Sequence, residues 1–450
     1  MTTSVSIAEM LAARIAALEP QVDPASRRSG ERLLLDVAGL CVAARRTRYV
    51  AAALDSVDPQ GGCTVIGHAG TRLGAEGAAF VNGTAAHGED FDDTYEGGPV
   101  HAGAVIVPAL LAAAERHALD GAALLRGIAV GCELMCRLCR VAPTKLHKAG
   151  FHPTAILGVF GATAGVGAAL RLAPAELVHA FGIAGSLAGG IIEYLAEGTW
   201  TKRMHAGWAA QCGYRAVRLA RGGFLGPRTV FEGEHGVFRA FARTADGRFD
   251  AMLDGLGREW LWQGLAFKPY ACGTMAHPFI DCARALRRRG VGADAIERID
   301  CDTAEGIVHR LWEPLAAKRQ PPNGYAAKFS IPYAIACGFL RDDAGLAEYD
   351  DGGVDDPQLR ALAQKVHYRI DPQDPYPERF VGHVRVTLRD GRVLEERQDH
   401  FRGGVDHPMG DDALAQKFFA NCAYAGMPAA EAGTLAATLR ALFDAREVKL

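Results

Sequence analysis

The sequence predicts a mainly α protein: a large all-helical domain with a smaller α+β domain. Three observations carry that expectation. The chain has 450 residues, too many for one hydrophobic core, which stops growing near ~250–300 residues. Ala and Leu recur at helical spacing from the start to about residue 265, and few stretches there alternate with period two. Ala then nearly vanishes between Asp351 and Asp411, where only Ala361 and Ala363 occur, so that region is built differently.

Taken in order, the first stretch, MTTSVSIAEMLAARIAALEP, reads as an amphipathic helix with a Ser before it. Glu31 to Ala44, Val105 to Ala118, Gly121 to Cys139 and Ala206 to Arg221 follow the i, i+3, i+4, i+7 apolar pattern of helices packed on a core. Pro108 is tolerated near the first turn of its helix and would kink it further in. The 80 Ala and 53 Gly suit helices that approach closely. After Lys268 the character changes. Ile296 to Thr303 (IERIDCDT) alternates, and His383 to Glu396 places two alternating runs around Asp390-Gly391, a hairpin signal. Helical pattern resumes at Asp411 to Tyr424 and Ala429 to Arg446. The expected boundaries are therefore 1–265 for the helical domain, 266–400 for the α+β domain, and 401–450 for C-terminal helices returning to the first domain.

Composition excludes several function classes. Forty-nine basic against fifty-two acidic residues give a net charge of −3, which does not make a nucleic-acid binder. The N-terminus lacks a basic segment followed by an apolar one, and no apolar run reaches the ~20 residues of a membrane span, so neither a signal peptide nor membrane insertion is expected. Eleven Cys scattered through a long chain point to reduced thiols and a cytoplasmic protein. Cys132, Cys136 and Cys139 match an iron–sulfur spacing, but they fall on one helical face, where small thiols are ordinary packing. No zinc-protease, nucleophile-elbow, phosphate-loop or dinucleotide motif occurs.

Four segments carry candidate chemistry. In Asn82 to Thr94, Glu89, Asp90, Asp92 and Asp93 crowd the C-terminal end of an apolar helix. Carboxylates are disfavoured at the negative end of a helix dipole, so a cation, a hydrogen-bond network or a substrate must offset them. Asp90 to Asp93 also spells D-x-D-D of terpene cyclases, without the aromatic lining that carbocations need. His152 stands in a Gly/Pro-bounded turn before a helix, where the positive helix end favours a neutral imidazole, a usable base. Lys202, Arg203 and His205 precede an Ala-rich helix and make an anion-binding corner, with a carboxylate as the expected anion. Phe267 to His277 lies at the expected domain junction, the usual position of a cleft. Lys is scarce, nine against forty Arg, yet two of the nine fall in these segments.

In this order, FVNGTAAHGEDFDDT, GFHPT, GTWTKRMHAGWAAQ, GFLGPRTVFEG, FKPYACGTMAH and AKFSIPYAIA resemble the MmgE/PrpD family, which includes 2-methylcitrate dehydratase, cis-aconitate decarboxylase and iminodisuccinate epimerase. The resemblance implies a helical domain plus an α+β lid and a homodimer, without metal or organic cofactor. It carries the family's site onto Asp90, Thr94, His101, His152, Lys202 and Lys268. Two departures from the decarboxylase pattern stand out: YEGGPV between Thr94 and His101 is a residue longer, and Gly273 stands near a decarboxylase His while His277 follows.

The expected reaction is proton abstraction next to a carboxylate of a small di- or tricarboxylate, with no cofactor. A lyase like 2-methylcitrate dehydratase is expected first, an epimerase of an aminodicarboxylate such as iminodisuccinate second, a decarboxylase last. The expected roles are Asp90, His101, His152 and Lys202 in catalysis, and Thr94, Arg203, Lys268, Tyr270 and His277 in substrate binding. His152 and His101 supply base and acid in either order, and Asp90 orients an imidazole.

Overall fold

The computed structural model describes residues 5–18 and 23–450; residues 1–4 and 19–20 of the expected N-terminal helix lie outside the described residues. The chain forms two compact units, one of residues 1–88, 92–266 and 411–450, the other of residues 89–91 and 267–410. The fold is mainly α, with one four-stranded sheet confined to the second unit.

The first unit is helical because its sequence repeats apolar residues every three to four positions. Its main helices are α1 (Ile7–Ala17), α2 (Pro24–Ala44), α3 (Arg48–Asp55), α4 (Ala75–His87), α5 (Gly103–His117), α6 (Gly121–Val141), α7 (Pro153–Ala169), α8 (Pro174–Leu187) and α9 (Thr201–Arg221). Starts are set by local chemistry. Ser6 caps α1 in a reciprocal capping box with Glu9, and Asp23 caps α2 through the Ser26 N–H. Pro108 sits inside α5, which continues through it. All seventeen residues of α7 are buried, the signature of a helix surrounded on every side. Helices α5, α6, α8 and α9 pack around it.

Ala and Gly let these helices come close. A Cβ on Gly83 of α4 would lie 2.6 Å from the Cα of Gly207 of α9, and one on Gly207 would lie 2.1 Å from the Phe80 carbonyl oxygen. Only glycine permits that crossing. Gly83 is one turn before His87, and Gly207 is two residues past His205, so the crossing also fixes where those two rings project. Cys132, Cys136 and Cys139 are all buried on α6, and burial pushes their thiols up, as expected of core packing.

The C-terminal segment packs with this unit. Helix α12 (Asp411–Tyr424) lies against α2, where Lys417 and Asp36 form a buried ion pair at 2.7 Å, and α13 (Ala429–Ala441) follows it.

In the second unit, α10 (His277–Arg288) precedes strand β1 (Ile296–Thr303), and α11 (Ile331–Arg341) lies in the connection to β2 (Val366–Ile370). Strands β3 (Gly382–Leu388) and β4 (Val393–Gln398) form the expected hairpin, with Gly391 at φ +85° in its turn. The order is β2-β1-β3-β4, parallel between β1 and β2 and antiparallel elsewhere. β3 alternates buried and half-buried residues throughout, so Gly382, Val384, Val386 and Leu388 face the core. Helix α10 packs on β3 and β4, giving the α+β layer.

Candidate active site

The four clustered acids are offset individually. In the second unit Lys328 Nζ lies 3.2 Å from Glu89, and Lys268 Nζ lies 3.0 Å from the Asp90 carboxylate and 2.8 Å from its backbone oxygen. In the first unit Asp92 Oδ2 meets His87 Nδ1 at 2.7 Å, with both side chains fully buried. Asp93 accepts N–H donors from Ala102 and Gly103 at the start of α5, where the helix dipole favours an anion. A Cβ on Gly103 would come within 2.3 Å of the Asp93 carboxylate, so glycine is needed for that approach. Burial, with Asp92 beside it, nevertheless pushes the Asp93 carboxyl up to about 8.

Around Asp92 the first unit gathers four buried imidazoles from four different segments. His87 ends α4, His101 lies in the loop before α5, His152 is the residue before α7, and His205 projects from the start of α9. Ring centroids are 4.8 Å apart for His87–His101, 5.6 Å for His87–His152 and 5.3 Å for His152–His205. Tyr194 stands edge-on to His152 at 6.2 Å and to His205 at 5.9 Å. The buried Lys202 lies on the same helix as His205 and depresses proton affinity at both His152 and His205.

The imidazoles differ in environment. His101 Nδ1 donates to the Asp93 backbone oxygen at 2.8 Å and lies 3.5 Å from Asp92 Oδ1. A backbone oxygen only accepts, so the proton is on Nδ1. His152 has the opposite surroundings. Burial first, then His87, His205, Lys202 and His101, hold it well below the usual histidine range. Burial, again with His87 and Lys202, lowers His205 to about 4. His152 is therefore held as neutral imidazole, whereas His101 lies beside the Asp92 carboxylate.

His87, Asp92 and His101 form the one group among the described residues whose potential ligand atoms all lie within 4.8 Å of one another. Their geometry is that of a hydrogen-bonded set, since the Nδ1 atoms of both rings are engaged by carboxylate or carbonyl oxygens.

The structure thus brings His101, His152 and Lys202 together in the first unit. Thr94 is buried there too, its backbone bridged to Ala266 in both directions at 2.9 and 2.8 Å. Arg203 stacks its guanidinium 4.4 Å from the Tyr49 ring centroid and 5.9 Å from that of Trp200. The remaining expected residues belong to the second unit. Asp90 and Lys268 form the ion pair described, the Tyr270 hydroxyl donates to Asp281 at 2.5 Å and accepts from Arg284 at 2.6 Å, and His277 packs edge-on against Tyr270.

The sequence places His205 in the anion-binding corner with Lys202 and Arg203, and Asp92 among four clustered acids, but gives neither a role of its own, and it does not single out His87. His87 and Asp92 are five apart across a helix end, a spacing that in hindsight suits a local imidazole–carboxylate bond.

The MmgE/PrpD N-terminal domain matches residues 9–250 and the MmgE/PrpD C-terminal domain matches residues 270–440, so the chain belongs to the MmgE/PrpD family. Among curated relatives, cis-aconitate decarboxylase of Mus musculus is 32% identical over 80% of this chain and 74% of its own length. That of Homo sapiens is 31% identical over 80% and 75%, and that of Aspergillus terreus (strain NIH 2624 / FGSC A1156) 27% identical over 82% and 79%. The second family match runs on through α12 and α13, which pack with the first unit.

Proposed function

We propose that this chain is a cofactor-independent lyase acting on a small polycarboxylate by proton transfer next to a carboxylate, with dehydration as the leading reading. The observation that carries it is the unlike pair His152 and His101, whose ring centroids are 6.5 Å apart. Removing water needs a base for the carbon-bound proton and an acid for the leaving hydroxyl, and two imidazoles in opposed environments supply both. His152 takes the proton from carbon. His101, whose ring charge Asp92 supports, gives one to the leaving oxygen. Lys202 holds a substrate carboxylate and offsets the charge that spreads onto it as the carbon loses its proton. Lys268 as a second carboxylate ligand, with Asp90, Thr94, Arg203, Tyr270 and His277 in supporting roles, rests on the family resemblance.

The second reading is decarboxylation of an aconitate-type acid, and the names of the relatives favour it. There His101 would protonate the carbanion left by CO2. A third reading, epimerisation of an aminodicarboxylate, would use the same pair with a proton returned to the opposite face. Incubating the protein in D2O with citrate-type, aconitate-type and aminodicarboxylate substrates, and following products by NMR, separates the three. Loss of water with an alkene formed supports the dehydratase; CO2 release supports the decarboxylase. Deuterium uptake with stereochemical scrambling alone supports the epimerase, and no turnover or exchange of any of them overturns the proposal.

Two further expectations belong here. Trp200, the residue before α9, and Met204 and Trp208 within it are spaced four apart, are 44, 38 and 38% exposed, and support a homodimer through that face. Eleven unbridged buried thiols support residence in the cytoplasm.

A further inference from the structure

His205 is held against His152 by an unusually specific geometry. The two Nδ1 atoms face each other at 3.1 Å. A single proton fits between two ring nitrogens so placed: one is N–H and donates, the other is a lone pair and accepts. The loop before residue 194 holds both rings. Gly190 accepts the His152 backbone N–H at 2.9 Å, and a Cβ on Gly190 would come within 3.3 Å of His205 Cε1 and Nε2 and 2.5 Å of Ala155. Gly190 has φ +140°, which side-chain-bearing residues rarely adopt.

From this we propose that His205 is a positioning residue that sets the tautomer of His152 and receives the positive charge when His152 takes up a proton. In the resting pair His152 Nδ1–H donates to His205 Nδ1, which leaves the His152 Nε2 lone pair free for substrate. Abstraction breaks the substrate C–H bond and forms His152 Nε2–H, with the electron pair remaining on the substrate. The proton between the rings then moves from His152 Nδ1 to His205 Nδ1. His152 is again neutral, now protonated on Nε2, and the charge resides on His205. The ionisable groups facing the pair are His87, stacked on His152, His101 at 6.5 Å, Lys202 on the His205 helix, and Tyr194 edge-on to both rings. His87, His101 and Lys202 are basic, so spreading the charge over a second ring lowers its cost.

The inference rests on His152 being the base, and the test separates the two. The full chain is labelled with 15N-histidine, and the ring nitrogens of His152 are followed in wild type, His205→Phe and His205→Asn, alongside turnover. An Asn amide oxygen falls near the place of His205 Nδ1 and can accept the His152 proton, whereas Phe cannot. Expected are a His152 protonated on Nδ1 in wild type and His205→Asn, loss of that preference in His205→Phe, and turnover lowered at least 100-fold in Phe but less than 10-fold in Asn. Equal losses in the two variants, or an unchanged His152 tautomer in His205→Phe, would overturn the inference. Full activity of His152→Ala would instead overturn the assignment of the base, whatever the spectra show.

Discussion

Within five residues the chain carries four acids, and its two units neutralise them differently. In the smaller unit Glu89 and Asp90 lie against the ammonium groups of Lys328 and Lys268. In the helical unit Asp92 and Asp93 meet imidazoles and backbone N–H groups. The first arrangement sets carboxylates against ammonium groups; the second sets them against imidazole, the side chain whose ordinary titration lies nearest neutral pH, and backbone N–H groups.

The largest test of that contrast is His152→Ala. Loss of a general base is expected to lower turnover about 1,000-fold, roughly 4 kcal/mol of barrier, with little change in thermal stability. Steady-state kinetics beside a melting curve reads both. On the lysine side, Lys328→Met should cost about 3 kcal/mol of stability, because it removes the buried ammonium 3.2 Å from Glu89. Adding Glu89→Gln should recover most of that loss in denaturant unfolding. If the single and double variants are equally unstable, the two charges are not coupled.

Gly207→Ala tests the crossing that aims His87 and His205. An added methyl would collide with the Phe80 carbonyl oxygen, and a loss on the order of 3 kcal/mol is expected. Acid pH gives a smaller, graded effect. His152 and His205 bind protons less readily folded than unfolded, so their contribution is intact above about pH 6.5 and is lost as pH falls toward 4. Stability should fall through that window, and His205→Asn should flatten the fall. Trp208→Lys should change stability by under about 0.5 kcal/mol while shifting the sedimentation coefficient from dimer towards monomer.

Much of the fold could be read without coordinates, because period and composition are local properties. Ile296–Thr303 alternates from Ile299 onward, after a register shift between Ile296 and Arg298, and the hairpin announces its turn with Asp390-Gly391. Val366–Ile370 is short, and its parallel partner lies some sixty residues earlier in the chain, so only tertiary pairing defines it. The anchor between Lys417 and Asp36 is equally long-range.

Among the candidate site residues, His152 stands out in the sequence because a Gly/Pro-bounded turn sets it apart, and Lys202 because Lys is rare. His87 sits inside helical pattern, where a histidine looks like any core residue, and His205 stands out only as one member of a cationic corner. Asp92 was one acid of four, and sequence spacing alone does not say which carboxylate meets which partner. Opposed environments arise only when α4, α7, α9 and the loop before α5 converge.

The most direct test of the central claim is deuterium exchange from D2O into a citrate- or aconitate-type substrate, comparing wild type with His152→Ala and His101→Ala. The account predicts rapid exchange at the carbon next to a carboxylate in wild type. It predicts none above background in His152→Ala, and exchange retained without loss of water in His101→Ala. Exchange at the wild-type rate in His152→Ala would contradict it.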